Sequence, residues 1–238
     1  LDSNLVRLYN LFKKYNSGEI ISHINKRIEE YELAKERTSH KTFEDDRVER
    51  YKKAYTNFRN YYNRNKNDLD FYTLMFYSFS QQFRFNSKGD FNMPCGNDCF
   101  SEVNEQYIHN GCNFFSKDNV KILNRDYKTI NFLNLTNKDF VYFDPPYLNT
   151  TATYNENEGW NIDDEEYLYK VCEILTKHNI KFGMSNVYEN TGIINQKLID
   201  WCNINNFNVY SFDKFTYSAC GRGSAGTKEV YICNYKIK

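Results

Sequence analysis

A mixed α/β fold is predicted, with a doubly wound, mostly parallel sheet, an antiparallel hairpin at the sheet edge, and an inserted helical module that carries a hairpin of its own. Three observations point there. Beyond Lys117, short apolar runs alternate with amphipathic stretches, as strands joined by helices do. Before Lys117, apolar residues recur at helical rather than alternating spacing. The last two apolar runs are joined directly by a Gly-rich loop, which makes them antiparallel neighbours.

Taken in order, Leu5, Leu8, Leu11, Phe12 and Tyr15 predict a helix from Asn4 to Tyr15. Ile21, Ile24, Ile28 and Tyr31 predict a second, from about Ile21 to Ala34. Charged, aromatic-rich helices follow from about Glu44 to Asn63 and Leu69 to Gln82, with a break at Ser39 to Asp46. Phe83 and Phe85, then Ser87-Lys88-Gly89-Asp90, then Phe91 and Met93 read as a hairpin closed at Gly89. Another helix is expected from about Ser101 to Phe115. The α/β texture then gives strands at Val120 to Leu123, Phe140 to Phe143, Ile180 to Met184, Phe207 to Tyr217 and Val230 to Tyr235. Helices are expected at Tyr127 to Leu135, Asp163 to His178 and Ile193 to Asn205. The domain division that follows is 1–17 with 118–238, and 18–117 as the insert, its hairpin at 83–94.

Composition narrows the function classes. The chain of 238 residues is 40% hydrophobic and 18% aromatic, which suits a globular core. It has no apolar run of the ~20 residues a membrane span needs, and no signal peptide is visible. The formal net charge is +0, so affinity for nucleic acid has to come from local basic patches. Seven scattered cysteines, among them Cys172, Cys202 and Cys233 in apolar settings, fit reduced thiols and a cytoplasmic location. Cys95, Cys99, His109 and Cys112 have the spacing of no tight ligand pair, so no metal is expected.

The chemistry concentrates where the strand Phe140 to Phe143 runs into Asp144-Pro145-Pro146-Tyr147. An exocyclic amino group on a nucleobase is a poor nucleophile, because its lone pair is delocalised into the ring. A carboxylate (Asp144) and a main-chain carbonyl (Pro145) can each accept one of its N–H bonds. Together they draw the nitrogen toward tetrahedral geometry. Pro145 and Pro146 have fixed φ and donate no N–H, so they hold that carbonyl in an extended turn. Tyr147 can stack on the base. The bland alternative is a strand ending in a proline turn.

With these residues in view, the chain resembles the Dam-type, DpnII-like family of DNA adenine-N6 methyltransferases over nearly its whole length. Leu1-Asp2-Ser3-Asn4 with Leu8-Tyr9-Asn10-Leu11 is similar to the family's "ND-x-N…LINLY" segment. Phe83 to Pro94 resembles its "YRxNxxGxFNxP" DNA-reading hairpin, Asn124-Arg125-Asp126-Tyr127 its cofactor-adenine segment, and Gly183-Met184-Ser185-Asn186 its "xxSN" strand end. Arg222-Gly223-Ser224 with Lys228-Glu229-Val230 resembles its late loop and final strand.

The resemblance implies a Rossmann-like methyltransferase domain with 18–117 as a DNA-recognition domain, and S-adenosyl-L-methionine as cofactor without a metal. It assigns catalysis to Asp144, Pro145, Pro146 and Tyr147, and cofactor contacts to Asp2, Asp126, Tyr127 and Asp144. DNA contacts fall to Phe79, Ser80, Gln82, Arg84, Asn86, Lys88, Pro94, Arg222 and Lys228, and the flipped-base pocket to Tyr147, Ser185 and Asn186. Each has a plainer alternative. Asp2 and Asp126 could be cap or turn residues, Arg84 a hairpin brace, Phe79 a core aromatic beside Leu74 and Met75, Asn186 a turn cap. The Arg59, Arg64 and Lys66 cluster reads as a solvated helix face.

Two departures stand out. The family's N-terminal "WxGGK" and "FxGxG" segments are not among these residues, so a truncated, processed or split enzyme is expected, with a missing N-terminal segment or a companion chain as partner. Gln82, two residues before Arg84, suits an adenine edge and leaves the recognition sequence open, GATC or another. The expected partners are double-stranded DNA and a cognate restriction endonuclease, with no membrane. Methylation of cytosine N4 and a catalytically silent DNA-binding fragment remain as rival readings.

Overall fold

Isoleucines at 20, 24 and 28 fall on one side of a helix, and burying each contributes roughly 1.5–3 kcal/mol. They are at most 7% exposed and anchor a bundle of five helices. The computed structural model describes residues 3–38, 46–149, 160–211 and 226–237. Contacts divide the chain into two compact units, Leu1–Arg125 and Asp126–Lys238.

The first unit holds α1 (Ser3–Lys14), α2 (Ser17–Tyr31), α3 (Asp46–Asn65), α4 (Asp68–Tyr77) and α5 (Glu102–Phe115). A capping box between Asn16 and Glu19 starts α2. The Asn67 side chain caps α4 by accepting from Leu69 N and Asp70 N. α4 is buried on most sides, packing against α1, α2 and α3. Its Asp70 is fully buried, and three polar contacts from α2 compensate. His23 Nε2 lies 2.7 Å from Oδ1, Arg27 Nε donates to Oδ1 at 2.7 Å, and an Arg27 terminal nitrogen donates to Oδ2 at 3.3 Å. Burial alone would raise the Asp70 pKa, but the His23 and Arg27 hydrogen bonds outweigh it and hold the carboxyl below its ordinary range.

α1 departs from the expected division, which grouped 1–17 with 118–238. Its buried Leu8 and Leu11 join the helical core, and it packs on α4 and α5. An amphipathic stripe records that a helix needs cover, not which surface supplies it.

The second unit is built on a sheet of β1 (Phe140–Phe143), β2 (Lys181–Asn190), β3 (Ile193–Ile194), β4 (Asn208–Ser211) and β5 (Thr227–Cys233), in the order β1-β2-β5-β4 with β3 beside β2. β1 and β2 pair in parallel, Phe143 opposite Met184. β5 lies antiparallel to both β2 and β4, so β1, β2 and β4 share one direction. The expected edge hairpin is present, with β4 outermost.

α6 (Ile162–Lys177) and α7 (Gln196–Ile204) make the crossovers, and here the doubly wound expectation is corrected for the described residues. Both helices share one core with Phe143, Phe182, Met184, Val230 and Ile232, and Tyr169 of α6 stacks on Trp201 of α7 at 4.1 Å. The strand order advances from β1 to β4 without reversing. Right-handed crossovers in one direction place both helices on the same face. Val120–Leu123 forms no strand, and Tyr127–Leu135 is two 3₁₀ turns, Tyr127–Thr129 and Phe132–Asn134, rather than a helix. Among the described residues, no helix is long and apolar enough to cross a membrane.

Candidate active site

Side chains alternate along β1, so Val141 and Phe143 face the helices while Phe140 and Tyr142 face away. Phe143 is buried, whereas Phe140 is 52% exposed and Tyr142 53%. Asp144 follows on the outward side, just past the carboxyl end of β1, where open α/β sheets bind ligands. It is exposed. The Tyr147 hydroxyl donates to Asp144 Oδ1 at 3.4 Å. Burial pushes the Tyr147 pKa up, and the Asp144 charge adds to it, so Tyr147 stays a neutral phenol. Tyr142 and Ser185, neighbours across the parallel pair, join hydroxyl to hydroxyl at 2.6 Å. Gly183 makes room on this face, since a Cβ there would lie 1.9 Å from the Tyr231 hydroxyl oxygen.

The turn after Asp144 is pinned further on. Asn149 donates from its side chain to Ile193 O at 3.1 Å and accepts at its own carbonyl from Asn190 Nδ2 at 2.9 Å. Asn190 Oδ1 accepts in turn from the Thr227 hydroxyl. The proline turn is therefore tied to β2, β3 and β5.

Ser185 and Asn186 point to opposite faces. Asn186 is fully buried, and its Nδ2 donates to Glu165 Oε1 at 3.2 Å, on the helix side. Any part it has in a base pocket is played through the strand it holds. Asp126 is exposed, and its carboxylate caps the first 3₁₀ turn by accepting from Lys128 N at 2.9 Å. Tyr127 donates to Asp164 O at 3.0 Å, and Tyr167 donates to Lys128 O at 3.2 Å. The Asp126 turn is thereby stapled to the first turn of α6. Burial raises the Tyr127 pKa, reinforced by Asp164. Lys228 is exposed on β5 opposite Glu189, away from Asp144. Asp2 and Arg222 lie outside the described residues.

In the first unit, the hairpin forms around one bridge, Phe85 with Phe91, and Gly89 takes φ +75° at its tip. Asn86 accepts at its side chain from Lys88 N and Asp90 N, so it braces the turn, and Lys88 is exposed beside it. Arg84 donates to Asn92 Oδ1 at 2.9 Å and to Asn92 O at 3.3 Å, spanning the two arms from an exposed position. Below, Phe83, Phe85 and Phe91 pack on Phe71 of α4. α3, with Lys66 just past its end, grips the return arm and the tip. Tyr55 and Arg59 donate to Met93 O, Asn63 exchanges two hydrogen bonds with Phe91, and Lys66 donates to Gly89 O. Arg59 and Lys66 thus hold the hairpin rather than forming a solvated face.

Phe79 leaves the core stripe because α4 ends at Tyr77, and it is 50% exposed. Ser80 and Gln81 both take φ +53°, Gln82 O accepts from Ser78 Oγ, and Pro94 O accepts from Phe79 N at 2.9 Å. Gly96 lets the two segments meet, since a Cβ would sit 2.5 Å from Ser78 O.

Sequence reasoning missed Tyr142, Trp160 and Glu165. Strand alternation from Asp144 would have found Tyr142. No local signal marks Glu165, since an acid in a first helical turn reads as a dipole partner.

Over 246 residues, covering 100% of its length, this chain is 34% identical to the modification methylase StsI of Streptococcus sanguinis. It is 32% identical to the type II methyltransferase M.FokI of Planomicrobium okeanokoites over 99% of the chain. It spans about a third of both relatives, 35% of each. Against M.MjaIII of Methanocaldococcus jannaschii it is 34% identical, over 59% of this chain and 52% of that one. Residues 1–213 match the D12 class N6 adenine-specific DNA methyltransferases, and the chain belongs to that family.

Proposed function

We propose that this chain takes part in site-specific methylation of the N6 amino group of adenine in DNA, with S-adenosyl-L-methionine as donor. The observation that carries the reading is Asp144, exposed at the carboxyl end of β1 with the Tyr147 hydroxyl directed at it, in an Asp-Pro-Pro-Tyr turn tied down at Asn149. The target base has to leave the duplex for its amino group to be reached. Asp144 and the Pro145 carbonyl then accept its two N–H bonds and aim the nitrogen, while Tyr147 supplies a ring to stack on the base. The contribution is positioning and fixed electrostatics, and no strong general base is needed.

The residues present fit the cofactor in kind. The exposed carboxylate of Asp126 suits hydrogen-bond donors of an adenosyl group, and the neighbouring rings of Tyr127 and Trp160, 5.9 Å apart, suit its purine. When bound, the cofactor supplies a methyl group on a sulfonium. Asp2 belongs to the same proposal for the ribose.

In the first unit, the braced hairpin supports a target-recognition role for 18–117. Arg84 and Gln82 would read base edges, Lys88 and Lys228 with Arg222 would meet phosphates, and Phe79, Ser80, Asn86 and Pro94 would shape the contact. The relatives' names as modification methylases support a restriction–modification setting with a cognate nuclease.

The test is transfer of labelled methyl to unmethylated DNA by this chain, beside Asp144→Ala, followed by nucleoside analysis. N6-methyladenine that disappears in the variant is the expected result, a loss of about 10²–10³-fold or more. N4-methylcytosine would overturn the choice of base. DNA binding without transfer, persisting when an upstream methyltransferase segment is added in trans, would overturn the activity.

A further inference from the structure

Glu165 is fully buried, and three hydrogen bonds converge on its carboxyl from three parts of the second unit. The Trp160 indole donates to Oε2 at 2.6 Å. The Tyr169 hydroxyl and Asn186 Nδ2 donate to Oε1 at 2.8 and 3.2 Å. Trp160 itself is half-buried, and its ring stands 5.9 Å from that of Tyr127 at a tilt of 35°. Tyr127 and Tyr167 are in turn fixed by main-chain oxygens of Asp164 and Lys128. A half-exposed indole needs no buried carboxylate for solvation, since water would serve its N–H. What the bond to Glu165 fixes is the plane and rotation of the ring beside Tyr127, the residue that follows the exposed Asp126.

We propose that Trp160 contacts the purine of the cofactor and that Glu165 is the positioning residue that holds its indole for that contact. This rests on the cofactor reading of Asp126 and Tyr127 above. Through Asn186, the same carboxyl ties the Trp160 wall to the middle of β2 beside Ser185, so the ring keeps a constant relation to the β1–β2 pair that carries Asp144.

Trp160→Ala removes the ring. Glu165→Gln keeps it but unpins it, because the amide oxygen must serve Tyr169 and Asn186, which leaves an N–H facing the indole N–H. The readout is equilibrium titration of the whole chain with S-adenosylhomocysteine, followed by calorimetry and by tryptophan fluorescence. Trp201, the other tryptophan, is 7% exposed and bonded to Glu173, so a ligand-dependent change reports Trp160. Affinity should fall about tenfold in Trp160→Ala and severalfold in Glu165→Gln. The double variant should bind no worse than Trp160→Ala, because unpinning a ring that is absent costs nothing further. Trp160→Phe, which keeps a ring, takes the place of Trp160→Ala if that variant does not fold, with a smaller loss expected. Variants that bind within twofold of wild type while wild type methylates DNA would overturn this proposal and leave the reaction standing. A wild-type chain that neither binds S-adenosylhomocysteine nor transfers methyl would overturn both.

Discussion

The two units hold their exposed candidate residues in place by different means. In the helical unit, the hairpin has one bridge of its own and depends on side chains of α3 reaching its main chain. In the sheet unit, Asp144 extends from a strand whose position is set by a full ladder with β2. Loss of a side-chain hydrogen bond should therefore disturb the hairpin more than it disturbs β1. In the second unit, steric changes on the sheet face should outweigh the loss of a single hydroxyl pair. Both tryptophans, Trp160 and Trp201, lie in the sheet unit, so fluorescence follows that unit while far-UV circular dichroism follows both.

The largest effect is expected from Asp70→Asn. Removing one partner of a buried ion pair costs about 3–5 kcal/mol. The helical signal should melt at lower urea with the tryptophan signal unmoved; a common shift would mean that the units unfold together, and the contrast would fail. The pH dependence follows from the same residue. Its folded pKa is depressed, so its stabilisation is complete above the ordinary carboxylate range and is lost as pH falls through the lower, folded value. Acid titration of the helical signal should lose that step in Asp70→Asn.

Gly183→Ala comes next and is the test from the sheet side. A methyl group 1.9 Å from the Tyr231 hydroxyl oxygen forces that ring aside, at about 1–3 kcal/mol. The tryptophan melting midpoint should fall, and only the smaller part of the helical signal, from α6 and α7, should move with it.

Asn63→Ala should cost about 1–2 kcal/mol by stripping the Phe91 main chain of its two partners. DNA affinity should drop more than stability does, and proteolytic nicking near Gly89 should mark the loosened hairpin. Nicking equal to wild type would show that the aromatic packing suffices. The smallest effect belongs to Tyr142→Phe, about 0.5–1.5 kcal/mol from one hydroxyl pair. Methyl transfer should change by less than tenfold, and a larger loss would place the Tyr142 hydroxyl against the substrate.

Much of this was legible in the chain. The helices announced themselves by period, and β1 with Asp144 by an apolar run meeting two prolines. What the sequence did not carry was partnership. Val120–Leu123 has the apolar content of a strand but no neighbour to pair with among the described residues. Tyr127–Leu135 has helical spacing, yet the Asp126 and Asn131 side chains each cap the start of a separate turn, and each turn runs for three residues. Ser185 and Asn186 look like one pocket edge on paper, and the pleat sends them to opposite faces. Glu165 is the extreme case, an ordinary acid whose three donors come from 5, 4 and 21 residues away.

Ser80 and Gln81, each at φ +53°, set a limit on how the loop at Phe79 can diverge. A left-handed backbone costs ordinary L-residues about 1–2 kcal/mol, least for Gly, Asn and Asp and most for β-branched side chains. The chemistry presented there can drift between hydroxyl, amide and carboxylate, but valine, isoleucine and threonine are closed off at two adjacent positions. Variation in target preference passing through this loop would then follow a short alphabet, and a library restricted to it would sample nearly all the foldable variants.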